Sequence, residues 1–391
     1  MNAERRPLKI AVIAGEESGD LLGADLVEAL RKMNGSDVEL LGVGGRGLIG
    51  HGLESIFDAE DIALMGVSAI VRDLPRLIRR IGQTATAIAD ANPDCLITID
   101  SPEFSLRVAK KVRALAPSIP IIHYVCPSVW AWRPGRAPAM RPHVDEVLCL
   151  LPFEPAELER LSGPPGTFVG HRLASDAGIL AAAQAHVSRP AKTSDEQRSL
   201  LLLPGSRRGE VSRLLQPFEE TVRHLHEAGH DFRILMPTVP HVSSMIEAAA
   251  KHWPKRPEII LDQERKWQAF AEADAALACS GTVSLELALA RIPTILCYKT
   301  DFAARALIPL ITVWSAALPN LIAGWPVVPE HFNQYVRPSY LARQITTLWD
   351  DKPARAAQMA GFQEIAHALA TERPSGEIAA QVVLRHVSGA A

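Results

Sequence analysis

No apolar run in this sequence approaches the length that would span a bilayer, and the N-terminal arginines lead into a strand and acidic loop with no apolar signal segment between them. A cytoplasmic chain is expected. The cysteines Cys95, Cys126, Cys149, Cys279 and Cys297 show no C-x-x-C spacing and mostly sit in or beside apolar runs. They read as reduced core thiols, neither a disulfide framework nor a zinc ribbon. There is no Asp-x-Asp pair at a strand end and no histidine cluster at ligand spacing, so no metal is expected, and Asp58, Glu60 and Asp61 read as a solvated loop. A Ser-His-Asp hydrolase would carry a G-x-S-x-G elbow, and none is present. A net charge of -3 gives no argument for a nucleic-acid partner. Solenoid repeats and low-complexity tracts are also missing.

What the chain does have is alternation. Short aliphatic runs at Lys9–Ala14, Val38–Val43, Cys95–Ile99, Ile121–Val125 and Glu146–Leu151 are separated by helical patterns. Largely apolar strands of this length belong to a parallel sheet covered on both faces. From Ala174 to Ser199 the texture turns to Ala, Gln, Ser, Lys and Thr, which reads as an interdomain helix and linker. The alternation restarts with Leu200–Leu203, Phe232–Met236, Ile259–Leu261, Ala273–Cys279 and Thr294–Tyr298. At 391 residues, two doubly wound α/β domains are predicted, over 1–173 and 200–354, facing across a cleft. Helices over 355–391 either return to the first domain or exchange between the copies of a homodimer.

Three runs carry the chemistry. Gly15-Glu16-Glu17-Ser18-Gly19-Asp20, Pro204-Gly205-Ser206-Arg207 and Ser280-Gly281-Thr282 each follow an apolar run and open a helical pattern. A strand running into a helix N-terminus presents free N–H groups and a positive dipole end to an anion. The second and third runs share one half of the chain, as two loops closing on one diphosphate require. Arg207 adds a guanidinium, and Glu286, one turn inside the helix after Thr282, is placed to accept both hydroxyls of a ribose. The competing readings are a solvated arginine on a capped helix and an ordinary helix acid. Gly42-Val43-Gly44-Gly45-Arg46-Gly47 formally satisfies G-x-G-x-x-G, but it follows the second strand, so a tight turn is the better reading than a dinucleotide site.

In the first half, Asp100 ends the apolar run Cys95–Ile99 and is either a general base or the N-cap of the next helix. Glu16, Glu17 and Asp20 are further acids, with Ser18 as a hydroxyl donor. Trp130, Trp132, Arg133 and Arg136 make an apolar, cationic edge suited to a phosphorylated amphiphile, or they are plain core. Over Val67–Ile88, the residues Val67, Ile70, Val71, Leu74, Leu77, Ile78 and Ile81 recur at helical spacing beside Arg72, Arg76, Arg79 and Arg80, with Pro75 marking a helix start. Such a segment lies on an anionic bilayer or packs as an ordinary surface helix.

Gly15–Asp20, His123–Trp132 (H-Y-V-C-P-S-V-W-A-W), Leu202–Arg207 (L-L-P-G-S-R), Ser280–Glu286 and Leu318-Pro319-Asn320-Leu321 together resemble the motifs of the lipid-A-disaccharide synthases, in order and over nearly the whole chain. The resemblance implies a metal-independent, cofactor-free, inverting glycosyltransferase of GT-B architecture with two Rossmann-like domains. It implies UDP-2,3-diacylglucosamine and 2,3-diacylglucosamine 1-phosphate (lipid X) as substrates, at the cytoplasmic face of the inner membrane. It also implies Asp100 as base, Glu16 and Ser18 near the acceptor and sugar, and Gly205, Ser206, Arg207, Ser280, Gly281, Thr282, Glu286, Asn320 and Gln334 around UDP. On this resemblance the bilayer reading of Arg72, Arg76, Arg79 and Arg80 is favoured. Glu17 and Arg172 depart from the pattern, where relatives carry a small or hydroxyl residue and often proline. The rival readings are a UDP-sugar epimerase acting on a soluble substrate and a noncatalytic nucleotide-binding protein.

Overall fold

A computed structural model describes residues 6–35, 37–63, 70–189, 192, 196–300 and 310–389, with the backbone alone at 63 and 70–74. The chain divides into two compact units, residues 1–172 with 371–391 and residues 173–370. Each is built on one parallel sheet.

In the first unit, β1 (Leu8–Ala14), β2 (Val38–Val43), β3 (Glu54–Ser55), β4 (Cys95–Ile99), β5 (Ile121–Tyr124), β6 (Glu146–Cys149) and β7 (Gly166–Phe168) are ordered β3-β2-β1-β4-β5-β6-β7. The central strands are apolar on both faces because helices cover both: Ile10, Val12 and Ala14 pack toward one side, and Ala11 and Ile13 toward the other. In the second unit, β8 (Arg198–Leu203), β9 (Phe232–Pro237), β10 (Glu258–Ile260), β11 (Ala275–Cys279), β12 (Thr294–Tyr298) and β13 (Glu330–Phe332) are ordered β10-β9-β8-β11-β12-β13. In both sheets the order reverses once, between β1 and β4 and between β8 and β11. Doubly wound sheets bind ligands beyond the carboxyl ends of the strands at that reversal.

The stretch read as an interdomain helix and linker holds the helix Ala177–Ser188, capped by Asp176, whose carboxylate accepts the amides of Gly178 and Ile179 at 2.9 and 3.1 Å. It belongs to the second unit: a Cβ on Gly178 would stand 2.3 Å from the Trp267 ring, and Asp274 takes Arg189 and Lys192, each at 2.8 Å. The C-terminal region also divides. Helix Lys352–Leu369 stays with the second unit, whereas Ser375–Gly389 packs on helix Glu17–Asn34 of the first, tied by Lys32 to Glu377 at 3.0 Å and by His386 to Glu146 at 2.6 Å.

Pro75 does not start a helix; it lies inside Ile70–Ala91. Leu77 and Ile81 of that helix are buried against Phe104 and Val108, so part of its apolar stripe is core, and Ile78 is exposed. Arg76 and Arg80 both pair with Asp61, Arg80 at 2.8 Å, and these contacts hold the Asp61 carboxyl below its usual range. Val67 and the side chains of Ile70, Val71, Arg72 and Leu74 lie outside the described residues. Among the described residues no helix is long and apolar enough to cross a membrane.

Candidate active site

Strand register brings the sequence-predicted loops together in pairs. Ala14 lies beside Ile99, so the Gly15–Asp20 turn and Asp100 leave the first sheet next to each other. Leu203 lies beside Ala278, so the Pro204–Arg207 and Ser280–Thr282 turns leave the second sheet next to each other. Both pairs stand at the point where strand order reverses. Gly15 shows how close the first pair is, because a Cβ there would lie 3.2 Å from the Ser101 hydroxyl and 2.4 Å from Ile62.

Asp100 is the first residue past β4. Its amide donates to the Tyr124 carbonyl at 2.9 Å, and burial pushes its carboxyl above the usual range. It is not the N-cap of the next helix. That position falls to Ser101, whose hydroxyl caps nothing in helix Pro102–Leu115. Asp100 and Ser101 have φ of 50° and 44°, two consecutive non-glycine residues in the left-handed region. Such positions cost on the order of 1–3 kcal/mol each and cluster at functional sites. Glu16, Glu17 and Ser18 are exposed at the start of helix Glu17–Asn34.

Asp20 has a different task from its neighbours. It is buried, and its carboxylate accepts the amides of Gly45, Gly47 and Leu48 at 2.7, 2.6 and 3.2 Å. The N–H groups that a dinucleotide fingerprint offers to a pyrophosphate are thus taken by a side chain of this protein. Gly42, at φ 129°, serves the strand, since a Cβ there would stand 1.9 Å from the Val12 carbonyl oxygen.

In the second unit a cavity of about 430 Å³ is lined by Gly205, Ser206, Arg207, Ser280, Gly281, Thr282 and Glu286. Gly205 adopts φ 115° and turns the chain from β8 into helix Arg208–Glu227. The Glu210 carboxylate reaches back over this turn to the Arg207 amide at 3.3 Å and its guanidinium at 3.0 Å. Arg207 is otherwise open, with 85% of its side chain exposed, and among the described residues its guanidinium is held by the surface contact with Glu210. Glu286 is half-buried and accepts from Lys266 Nζ at 2.8 Å, and Lys266 also lies 4.3 Å over the Trp267 ring. Lys266, Glu210, Thr238, Asp262 and Gln263 line the same cavity and were not legible in the sequence. Lys266 and its neighbours sit on an ordinary polar helix, Gln263–Glu272, with no motif to mark it.

Asn320 and Gln334 do not line this cavity. Asn320 is buried, and its amide is spent inside the fold: Nδ2 donates to the Val328 carbonyl at 2.9 Å and to Glu330 at 3.1 Å, and Oδ1 accepts the Val328 amide at 2.8 Å. Gln334 is exposed on the short turn after β13. Glu330, unremarked in the sequence, links the two regions. It accepts from Tyr298 at 2.9 Å, from the Ala316 amide at 3.1 Å and from Ser315, while the Ser280 hydroxyl donates to the Ala316 carbonyl at 3.4 Å.

Of the aromatic edge, Trp130 is half-buried and donates to Glu154 at 3.2 Å, and Trp132 carries the Arg133 guanidinium 4.1 Å above its ring. Burial raises the Glu154 carboxyl to about 7.

The sequence family described as lipid-A-disaccharide synthetase matches residues 10–383. The chain belongs to that family. The lipid-A-disaccharide synthase of Rhodopseudomonas palustris strain HaA2 is 46% identical over 380 residues, covering 96% of this chain and 95% of that one. The Nitrobacter hamburgensis synthase is 44% identical over 391 residues, covering 98% and 96%. Among solved structures, MurG of Acinetobacter baumannii superposes with a TM-score of 0.59 at 12% identity over 97% of this chain and all of that one. UDP-GlcNAc 2-epimerase of Neisseria meningitidis bound to UDP-GlcNAc superposes with a TM-score of 0.56 at 13% identity over 98% of this chain and all of that one. At those identities the superpositions speak to fold, and the fold is the two-domain GT-B architecture. The lipid-A-disaccharide synthetase membership separates this chain from the epimerases that share it.

Proposed function

We propose that the chain joins UDP-2,3-diacylglucosamine to 2,3-diacylglucosamine 1-phosphate with inversion, forming the β(1→6) disaccharide 1-phosphate and releasing UDP. The observation that carries this reading is the pairing of loops at the two strand-order reversals: an acid and hydroxyl set in the first unit, and an anion-binding set in the second. In the second unit Arg207 and the N-termini behind Ser206 and Gly281 take the diphosphate, and Glu286, held by Lys266, takes the ribose hydroxyls. In the first unit Asp100 accepts the proton of the acceptor 6-hydroxyl, with Glu16 and Ser18 beside it. The oxygen then attacks the anomeric carbon, the bond from that carbon to the diphosphate oxygen breaks, and the developing charge on UDP is met by Arg207. A carboxyl raised by burial makes its carboxylate a stronger proton acceptor than an exposed aspartate.

Acylated substrates require work at a lipid surface, which we assign to the cytoplasmic leaflet of the inner membrane. Ile78 and Arg79 on the exposed side of helix Ile70–Ala91 support a contact there. The test is UDP release with and without the acylated sugar phosphate. Release that depends on the acceptor is expected. Acceptor-independent release, or an epimerised sugar nucleotide with no disaccharide, would contradict the assignment.

A further inference from the structure

Glu103, the second residue of helix Pro102–Leu115, is surrounded by three guanidinium groups. Its Oε2 accepts Arg107 at 3.2 Å, and its Oε1 accepts both Arg133, at 3.1 Å, and Arg136. One carboxylate against three arginines leaves a local excess of about two positive charges. Each guanidinium also has five N–H donors, more than one carboxylate oxygen uses. Arg133 is held in place by its stack on Trp132 and by a backbone φ of 52°, a left-handed position that a bulky residue adopts only when its surroundings impose it. Arg136 is the more enclosed of the two, with 20% of its side chain exposed against 54% for Arg133. Its field reaches inward: burial first and Arg136 second hold His123 down to about 3. The first turn of the helix carries no side-chain cap and adds its own positive end.

This cluster follows Asp100 by three residues. Successive Cα atoms are 3.8 Å apart, so Glu103 lies within about 11 Å of Asp100 along the chain. That is the scale of a single sugar phosphate, whose 6-hydroxyl and 1-phosphate stand at opposite ends of one ring.

We propose that Arg133 and Arg136, oriented by Glu103, seat the 1-phosphate of the acceptor, a phosphate monoester, while Asp100 receives its 6-hydroxyl. This rests on the acceptor assigned above. The monoester's charge of nearly -2 matches the excess, and a forked guanidinium pair fits its three oxygens. Glu103 holds both guanidinium groups on its Oε1 before the phosphate arrives and lowers the attraction for monovalent anions.

The experiment uses the full chain in neutral detergent micelles with two acceptors, 2,3-diacylglucosamine 1-phosphate and the same sugar without phosphate. Direct binding of each is measured calorimetrically without donor, and turnover is measured with donor. Wild type is expected to prefer the phosphorylated acceptor, and Arg136→Gln to shrink that preference by about ten- to a hundredfold, the loss of one charge-assisted contact. Arg133→Gln, at the more exposed position, should shrink it in the same direction, and Arg136→Lys should restore part of it. A preference that survives in both glutamine variants overturns the seat, and so does an equal loss on both acceptors. If the variants instead lose binding to phosphatidylglycerol vesicles while keeping the preference, the arginines contact lipid headgroups and the seat is again overturned. Binding preference that collapses in the variants, with no turnover in wild type, leaves the seat standing and sinks only the assigned reaction.

Discussion

Lys266 donates to Glu286 at 2.8 Å, and both line the cavity in the second unit, where the proposed nucleotide would offer its ribose hydroxyls. Arg207 stands on the same cavity at the mouth of the helix after β8. On the proposed reading the two residues grip different parts of one nucleotide. Arg207→Ala should weaken UDP binding by about ten- to a hundredfold and uridine hardly at all, since one charge-assisted contact contributes roughly 1.5–3 kcal/mol. Lys266→Met should weaken UDP and uridine alike. Calorimetry with both ligands checks this, and equal losses of UDP and uridine in the Arg207 variant would remove Arg207 from the diphosphate.

Asp20 makes a separate, structural prediction. Its buried carboxylate satisfies three amides at the N-terminus of helix Arg46–Gly50, those of Gly45, Gly47 and Leu48, and Asp20→Ala leaves them without that partner. A loss of about 3 kcal/mol is expected, the scale of a buried charge-assisted set that does not add fully. UDP affinity should not change in protein that remains folded. Urea unfolding and calorimetry on one preparation measure both quantities, and a stability loss below about 0.5 kcal/mol, as at a surface site, would refute the role.

Glu154 ties Trp130 to the Leu151 amide and titrates unusually high. Its carboxyl is raised by burial from 4.5 to about 7, so the folded state holds the proton more tightly than the unfolded state. That contribution to stability is whole below about pH 4.5 and is lost as the pH rises through 7. At about 1.4 kcal/mol per pKa unit, wild type should lose about 3 kcal/mol more than Glu154→Gln between pH 4.5 and pH 8. Denaturant titrations at the two pH values test the sign. Parallel losses in both proteins would mean that Glu154 is charged throughout.

Much of this architecture was legible because a buried parallel strand must be apolar on both faces. Cys95–Ile99 and Thr294–Tyr298 could be read to the residue for that reason. The edge strands Glu54–Ser55, Gly166–Phe168 and Glu330–Phe332 could not, since two or three half-exposed residues carry no periodic signal. The stretch after Ala174 reads as an interdomain helix and linker because alanine-rich texture looks the same on a connector and on a packed helix; Trp267 against Gly178, and Asp274 holding Arg189 and Lys192, put that helix in the second unit. Motifs located the turns at both reversals, but resemblance could not separate a side chain lining the cavity from one supporting it. Asn320 donates to Glu330, Glu330 accepts from Tyr298 and from the Ala316 amide, and the Ala316 carbonyl accepts from Ser280, a chain of contacts across residues far apart in sequence.

On the proposed mechanism Asp100, raised by burial and first past the end of β4, is the base. Asparagine keeps the shape at a left-handed position that asparagine tolerates well, and loses only the basicity. Removing a general base costs about 10²–10⁴ in rate. Single-turnover disaccharide formation by Asp100→Asn is the most direct measurement, taken beside its melting temperature and UDP affinity. The rate should fall by that factor while the other two stay at wild-type values. A rate within a few-fold of wild type would contradict the mechanism and pass the role to Glu16.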